Sequence, residues 1–268
     1  MRPTSKINSS LNKRRRLSLL KKVGYITIFV LFFLSLLVLG LTNDKIQIKS
    51  VSITGNISVP KEDILNIVNN NLDKKYLYII RTDNFFLLKR WTIKREILRD
   101  MKKVRDVNIS FSGLDAFEVS ITERVGKYIW CDSTTTSKCY FMDEDGLVFT
   151  EAPEFSGHPF QEYSGLIMEN PIGQSYFNNV RFKQIAQFFS ALDNMKLEPK
   201  LFNAVDEHKY EVRLFSGSKI IVDDKKSFER NIQDLQAVID NGYIKADTQS
   251  LKKIQYIDLT FGNKVIFK

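Results

Sequence analysis

Three carboxylates, Asp143, Glu144 and Asp145, stand in a row inside "MDEDG", from Met142 to Gly146. Such a cluster could supply an acid/base pair or bind Ca²⁺. The run is too short for a Ca²⁺-binding loop, and acids beside Gly at a hairpin tip are ordinary turn chemistry. The chain holds 2 histidines, His158 and His208, both in polar or Pro/Gly contexts typical of loops, so no Ser-His-Asp arrangement can be built. It contains neither HExxH nor a Gly-rich phosphate loop. These residues predict no catalytic group, no metal site, no cofactor and no small-molecule substrate, and the chain reads as a binding protein and not an enzyme.

The 2 cysteines, Cys131 and Cys139, bracket the polar loop "DSTTTSK" between apolar runs. Two strands joined by such a loop could bring their ends within bridging distance. The expected state is a disulfide between Cys131 and Cys139, with two reduced thiols packed in a strand pair as the alternative; the spacing and the lack of other Cys exclude a CxxC-type metal or redox site. The closing stretch "IQYIDLTFGNKVIFK" is a different kind of candidate. Ile257, Leu259 and Phe261 alternate with Tyr256, Asp258 and Thr260, then Gly262 and Asn263 form a turn before a short strand from Lys264 to Lys268 that includes Val265. A strand here at a sheet edge would offer unpaired N–H and C=O groups to another chain. The competing expectation is a closing strand paired on both sides.

These residues are positioned by a chain of 268 residues with two domains beyond an anchor. Val23 to Leu41 is a run of 19 residues without a charge. At ~1.5 Å per residue a helix of that length approaches the ~30 Å hydrocarbon core. A cleaved signal peptide would have a shorter apolar core and a small-x-small site, which Leu39 to Thr42 lacks. Residues 1–22 carry 8 Lys and Arg and no acid, and they predict a cytoplasmic basic tail. Removing those 8 from the 40 basic residues leaves 32 against 31 acidic ones, so the exported part is nearly neutral and no nucleic-acid face is expected.

From Lys45, "KIQIKSVSITGN" alternates with a phase slip between Ile48 and Val51, which predicts a strand with a bulge or kink before a turn at Gly55 and Asn56. Ile64, Ile67, Val68 and Leu72 share one face of a helix with Pro60 in its first turn; Ile93, Ile97, Leu98 and Met101 share a face of another, from Trp91 to Lys102. Val107, Ile109 and Phe111, then Phe117, Val119 and Ile121, mark two strands turning at "SGLD". The order strand, helix, helix, strand, strand puts two helices on one face of a three-stranded sheet over residues 45–124.

Beyond it, residues 125–268 predict a larger mixed β domain with two helices. Strands fall at Lys127–Cys131, Cys139–Met142, Leu147–Thr150, Phe202–Val205, Tyr210–Phe215 and Lys219–Val222. A loop containing "APEFSGHPF" and "ENPIGQSYF" precedes a helix from Asn179 to Leu192. Its Phe182, Ile185, Phe188, Phe189 and Leu192 read as core. The second helix runs from Ser227 to Asn241, with Asp223 or Asp224 near its start and Gly242 past its end. The fold class is α+β.

"VSITGNISVPKEDI" followed by "VRDVNISFSGLDAFEVSITER" resembles the POTRA domain found just outside the membrane in the bacterial division protein family FtsQ/DivIB. "WCDSTTTSKCYFMDEDGLVF" is similar to that family's hairpin ending in a D-x-x-G turn, and "YIDLTFGNKVIFK" to its closing strand. Each motif is weak alone; their order behind one signal-anchor carries the resemblance, which covers essentially the whole chain. Thr260 stands where the family pattern commonly has Arg, and the Cys-flanked "DSTTTSK" is not a usual family feature.

The resemblance implies a cytoplasmic-membrane, single-pass scaffold at the division septum, with its N-terminus in the cytoplasm. It implies FtsB/DivIC-like and FtsL-like partners, with an FtsB strand added at the edge formed by Tyr256, Ile257, Asp258, Leu259, Thr260, Phe261, Lys264 and Val265, and a link to septal cell-wall synthesis. Another POTRA-bearing envelope assembly or secretion component, or an anchored cell-wall hydrolase, are the alternatives.

Overall fold

A computed structural model describes residues 5–41, 46–73, 75–76, 80–81, 83–132, 138–166, 169–262 and 264–268. The chain divides into two compact units, Met1–Asp100 with Asp106–Thr122, and Met101–Arg105 with Glu123–Lys268. It is a mixed α+β protein with one apolar N-terminal helix and a large sheet-rich body.

Helix α1 runs unbroken over Ser5–Leu41, and its Leu19–Gly40 portion of 22 residues is long and apolar enough to cross a membrane. The helix therefore begins inside the basic tail, because no Gly or Pro interrupts the Leu, Lys and Arg residues between Ser5 and Val23, all good helix formers. Thr27 Oγ1 donates back to the Val23 carbonyl at 2.9 Å, which satisfies its hydroxyl inside the apolar run.

After β1 (Ser50–Thr54) come α2 (Lys61–Leu72), the two-residue strands β2 (Lys75–Tyr76) and β3 (Ile80–Arg81), α3 (Arg90–Asp100), β4 (Val104–Phe111) and β5 (Ala116–Glu123). The sheet order is β1-β5-β4, with β1 parallel to β5. Ile64, Val68, Ile93 and Ile97 are fully buried, as are Val107 and Val119 of the sheet. The phase slip near Ile48 is a change of partner and not a bulge. Ile48 N–H donates to Asp83 O and Phe85 N–H to Ile46 O, whereas Ser50–Thr54 pairs with β5. Lys45, where the strand was expected to begin, lies outside the described residues. Gly55 turns the chain with φ +77°, and a Cβ there would strike the Ile121 carbonyl.

The second unit holds a nine-stranded sheet with β6 (Tyr128–Cys131), β7 (Cys139–Met142), β8 (Val148–Glu151), β9 (Gln161–Gly165), β10 (Pro199–Ala204), β11 (Lys209–Leu214), β12 (Lys219–Asp223), β13 (Tyr256–Asp258) and β14 (Ile266–Phe267). Its order is β14-β13-β12-β11-β10-β9-β6-β7-β8. Two pairs that are neighbours in sequence, β9 with β10 and β12 with β13, are parallel. A parallel pair needs a long crossover, and α4 (Asn179–Asn194) and α5 (Phe228–Asp240) supply the two. Asn178 and Ser227 cap these helices, accepting from the N–H groups of Arg181 and Arg230. The cap of α5 is thus Ser227, and neither Asp223 nor Asp224. A short α6 (Thr248–Leu251) precedes β13.

The core of this unit joins Phe182, Ile185, Phe188, Phe189 and Leu192 of α4 to Tyr163, Phe202, Tyr210, Val212 and Ile257 of the sheet. Strand β9 falls within what the sequence reads as a loop. Its polar "QEYSG" is a strand because β6 and β10 flank it, and Tyr163 alone fills the core from it.

Candidate functional site

The closing segment is built by α5. This crossover returns the chain beside β12, where β13 pairs in parallel through Lys219–Tyr256, Ile220–Ile257 and Ile221–Asp258. The chain then turns back and β14 pairs with the opposite flank of β13, Ile257 against Phe267 and Asp258 against Ile266. The expectation that Tyr256, Ile257 and Asp258 form an open edge is therefore corrected: their own chain covers them on both sides. The reason is geometric, since a strand followed by a reversal within a few residues is covered by its own return arm.

Only three residues of the expected strand are β. The Asp258 carboxylate accepts from Thr260 N–H at 2.9 Å and Thr260 Oγ1 at 2.7 Å, a local turn that competes with the ladder. Leu259 N–H donates to Ile221 O and its side chain is fully buried, so Leu259 is core. Thr260 is half-buried, Phe261 and Lys264 are exposed, and Val265 packs partly against the core. Asn263 of the expected turn lies outside the described residues; Gly262 has φ +45°.

Strand β14 stands at one end of the sheet, and β8 at the other. Lys268 N–H donates to Tyr256 O at 3.2 Å, and Gln255 N–H to Lys268 O at 2.5 Å. In an antiparallel ladder bonding residues alternate, so Phe267, one residue before, turns its N–H and C=O away from β13. Among the described residues no strand meets that flank. Ile266 and Phe267, 39 % and 41 % exposed, make up this outer strand, and sequence reasoning did not place them among the candidate residues. The sequence signal was the hairpin pattern alone, which does not tell the outer arm from the inner one.

The acidic run is a structural turn. Asp143, whose side chain is 2 % exposed, pairs with the Arg124 guanidinium, and its Oδ1 accepts from the N–H groups of Asp145 and Leu147 at 3.0 Å each. Glu144 pairs with Arg105 at 2.6 Å. Asp145 accepts from Lys183 at 3.1 Å, and that hydrogen bond holds its carboxyl below the usual range. Gly146 has φ +81°, and the Phe182 ring stands where a Cβ would go. His158 lies against the Phe215 ring, while His208 Nδ1 meets Asp224 at 2.5 Å, so the two histidines serve different loops. Among the described residues no three His, Cys, Asp or Glu side chains gather as ion ligands.

Cys131 and Cys139 are joined by a disulfide and face each other directly across β6 and β7. Residues 133–137 of the intervening loop lie outside the described residues.

No protein-family model matches the chain, and no curated protein matches its sequence.

Proposed function

We propose that this chain is a single-pass scaffold of the bacterial divisome of the FtsQ/DivIB kind, anchored in the cytoplasmic membrane by α1 with its N-terminus in the cytoplasm. It acts at the division septum, where it holds an FtsB/DivIC-like and FtsL-like pair and links it to septal cell-wall synthesis. The single observation carrying this reading is the open flank of β14 at the end of a nine-stranded sheet, where an incoming strand would hydrogen-bond to the Phe267 backbone. The order of β1, α2, α3, β4 and β5, with β1 parallel to β5, supports a POTRA-like assignment for the first unit.

The test is recovery of FtsB- and FtsL-like proteins with the full-length chain and with its Phe267→Pro variant. Proline removes the outward N–H of an edge strand without touching the β13–β14 ladder, a position where folds tolerate it. The expected result is co-purification with the intact chain and loss of most of it with the variant, at unchanged circular dichroism. Equal recovery would refute strand addition at β14; no recovery with either chain would refute the divisome reading itself. Deleting the whole closing segment is a poorer test, because Ile257 and Leu259 are fully buried and leave with it.

A further inference from the structure

The first unit exposes large apolar side chains at the end where its chain arrives from α1. Leu41 and Ile46 are five residues apart, so the covalent chain spans at most about 18 Å between them. Ile46 is at once pinned: its carbonyl accepts from Phe85 N–H at 2.9 Å, Ile48 N–H donates to Asp83 O at 2.7 Å, and Gln47 bridges Asn84. The buried Asn84 side chain accepts from Phe86 N–H at 2.8 Å, closing a turn that leaves Phe86 68 % exposed. The turn between β4 and β5 lies at the same end, because Asp115 O accepts from Lys49 and Ser50, and it carries Leu114, 50 % exposed.

Phe85 connects this end to the start of α3. Its ring touches both Phe86 and Phe111, Arg90 lies 5.1 Å over the Phe111 ring, and Arg90, Trp91 and Lys94 line one shallow groove with Ile109. Trp91 is 72 % exposed. Lys94 also reaches Asp106 at 2.7 Å, and Asp106 and Asp115 are acidic residues on a surface that carries the basic Lys49, Lys89, Arg90 and Lys94. Exposed aromatic and aliphatic groups interleaved with Arg and Lys are the composition of surfaces that settle in a bilayer interface, where Trp is enriched and cations meet anionic headgroups.

We propose that this end of the first unit, carrying Phe86, Trp91 and Leu114, rests in the headgroup layer of the bilayer that α1 spans, with Arg90 against anionic lipid. The short tether and the pairing of Ile46–Ile48 with Asp83–Phe85 hold the patch within reach of that layer. The proposal rests on the reading of α1 as a membrane-spanning helix. The membrane contact fixes the first unit against the bilayer.

Trp91 is itself the probe, since Trp130, the only other tryptophan, is 3 % exposed. The full-length chain is reconstituted in phosphatidylglycerol-containing vesicles with or without acyl chains brominated near the headgroup, and the Trp91→Phe variant supplies the Trp130 background. The expected result is loss of most of the Trp91 emission in the brominated vesicles, shielding from aqueous iodide, and weaker quenching when phosphatidylcholine replaces the anionic lipid. The Phe86→Ser/Leu114→Ser double variant, altered only at exposed positions, should reduce the bromolipid quenching while the melting temperature stays unchanged.

A chain that resists alkaline extraction yet leaves Trp91 open to iodide and untouched by bromolipid overturns the proposal alone. Shielding from iodide without bromolipid quenching overturns it in favour of a protein partner on the same patch. Release of the chain by alkali overturns the anchor reading and the proposal with it.

Discussion

Ile257 on β13 stands opposite Phe267 on β14, and the two differ sharply in burial: Ile257 is fully buried while Phe267 is 41 % exposed. Ile257→Ala is expected to cost about 2–5 kcal/mol, the usual range for emptying a core site. Phe267→Ala should change stability by roughly 1 kcal/mol or less, because much of its surface already meets water. Chemical denaturation of the solubilised chain separates the two. Because Phe267→Ala keeps the outward N–H and C=O, it should lower partner recovery far less than Phe267→Pro does.

Asp143 and Arg124 form a pair in which the carboxylate is nearly sealed from water, at 2 % exposure against 18 % for the arginine. Arg124→Ala strands that charge and is expected to cost about 3–5 kcal/mol. Asp143→Asn keeps an acceptor for the Asp145 and Leu147 N–H groups and should cost less, about 1–2 kcal/mol. The order of the two denaturation midpoints checks the assignment of "MDEDG" as a structural turn.

His208 has its pKa raised, chiefly by the hydrogen bond to the Asp224 carboxylate and then by its charge. Folding is therefore favoured by protonation: the stabilisation is fully present below the ordinary histidine value of about 6.5 and is lost as pH rises through the raised folded value. His208→Gln should lower the melting temperature at pH about 5.5 and leave it unchanged at pH about 9, where neither state is protonated. A gap between variant and parent that grows toward alkaline pH would contradict this pair.

The disulfide between Cys131 and Cys139 closes a loop with a sequence separation of 8. Loop closure of that length stabilises by roughly 2–3 kcal/mol, so the Cys131→Ser/Cys139→Ser variant should lose about that much. Thiol reductant should lower the denaturation midpoint of the parent and leave the variant unaffected.

Asn231 on α5 is fully buried, and among the described residues neither its Nδ2 nor its Oδ1 has a hydrogen-bond partner. Leucine has similar bulk and leaves no polar atom to desolvate. Asn231→Leu is expected to stabilise by about 1–2 kcal/mol, read as a higher denaturation midpoint.

Much of the fold was legible because local rules and tertiary packing agreed. The apolar run of α1, the helical spacing of Ile64 with Val68 and of Phe182 with Phe189, and the alternation of Phe117, Val119 and Ile121 each gave the element that forms. Even the phase slip at Ile48 was visible, although its cause, a switch of pairing partner from Asp83–Phe85 to β5, was not. Strand β9 was illegible because "QEYSG" lacks an apolar pattern and owes its conformation to β6 and β10 on either side.

Order along the chain, the length of the apolar helix, the thin inventory of reactive groups and the terminal hairpin pattern were all properties of the sequence alone, because each depends on residues close together. Which arm of that hairpin stays open was decided only in three dimensions. The α5 crossover sets β13 beside β12, the return arm covers its other flank, and among the described residues the unpaired backbone falls to Phe267. A hydrogen-bonding edge is defined by what is absent beside it, and neighbours in a sheet come from distant parts of the chain.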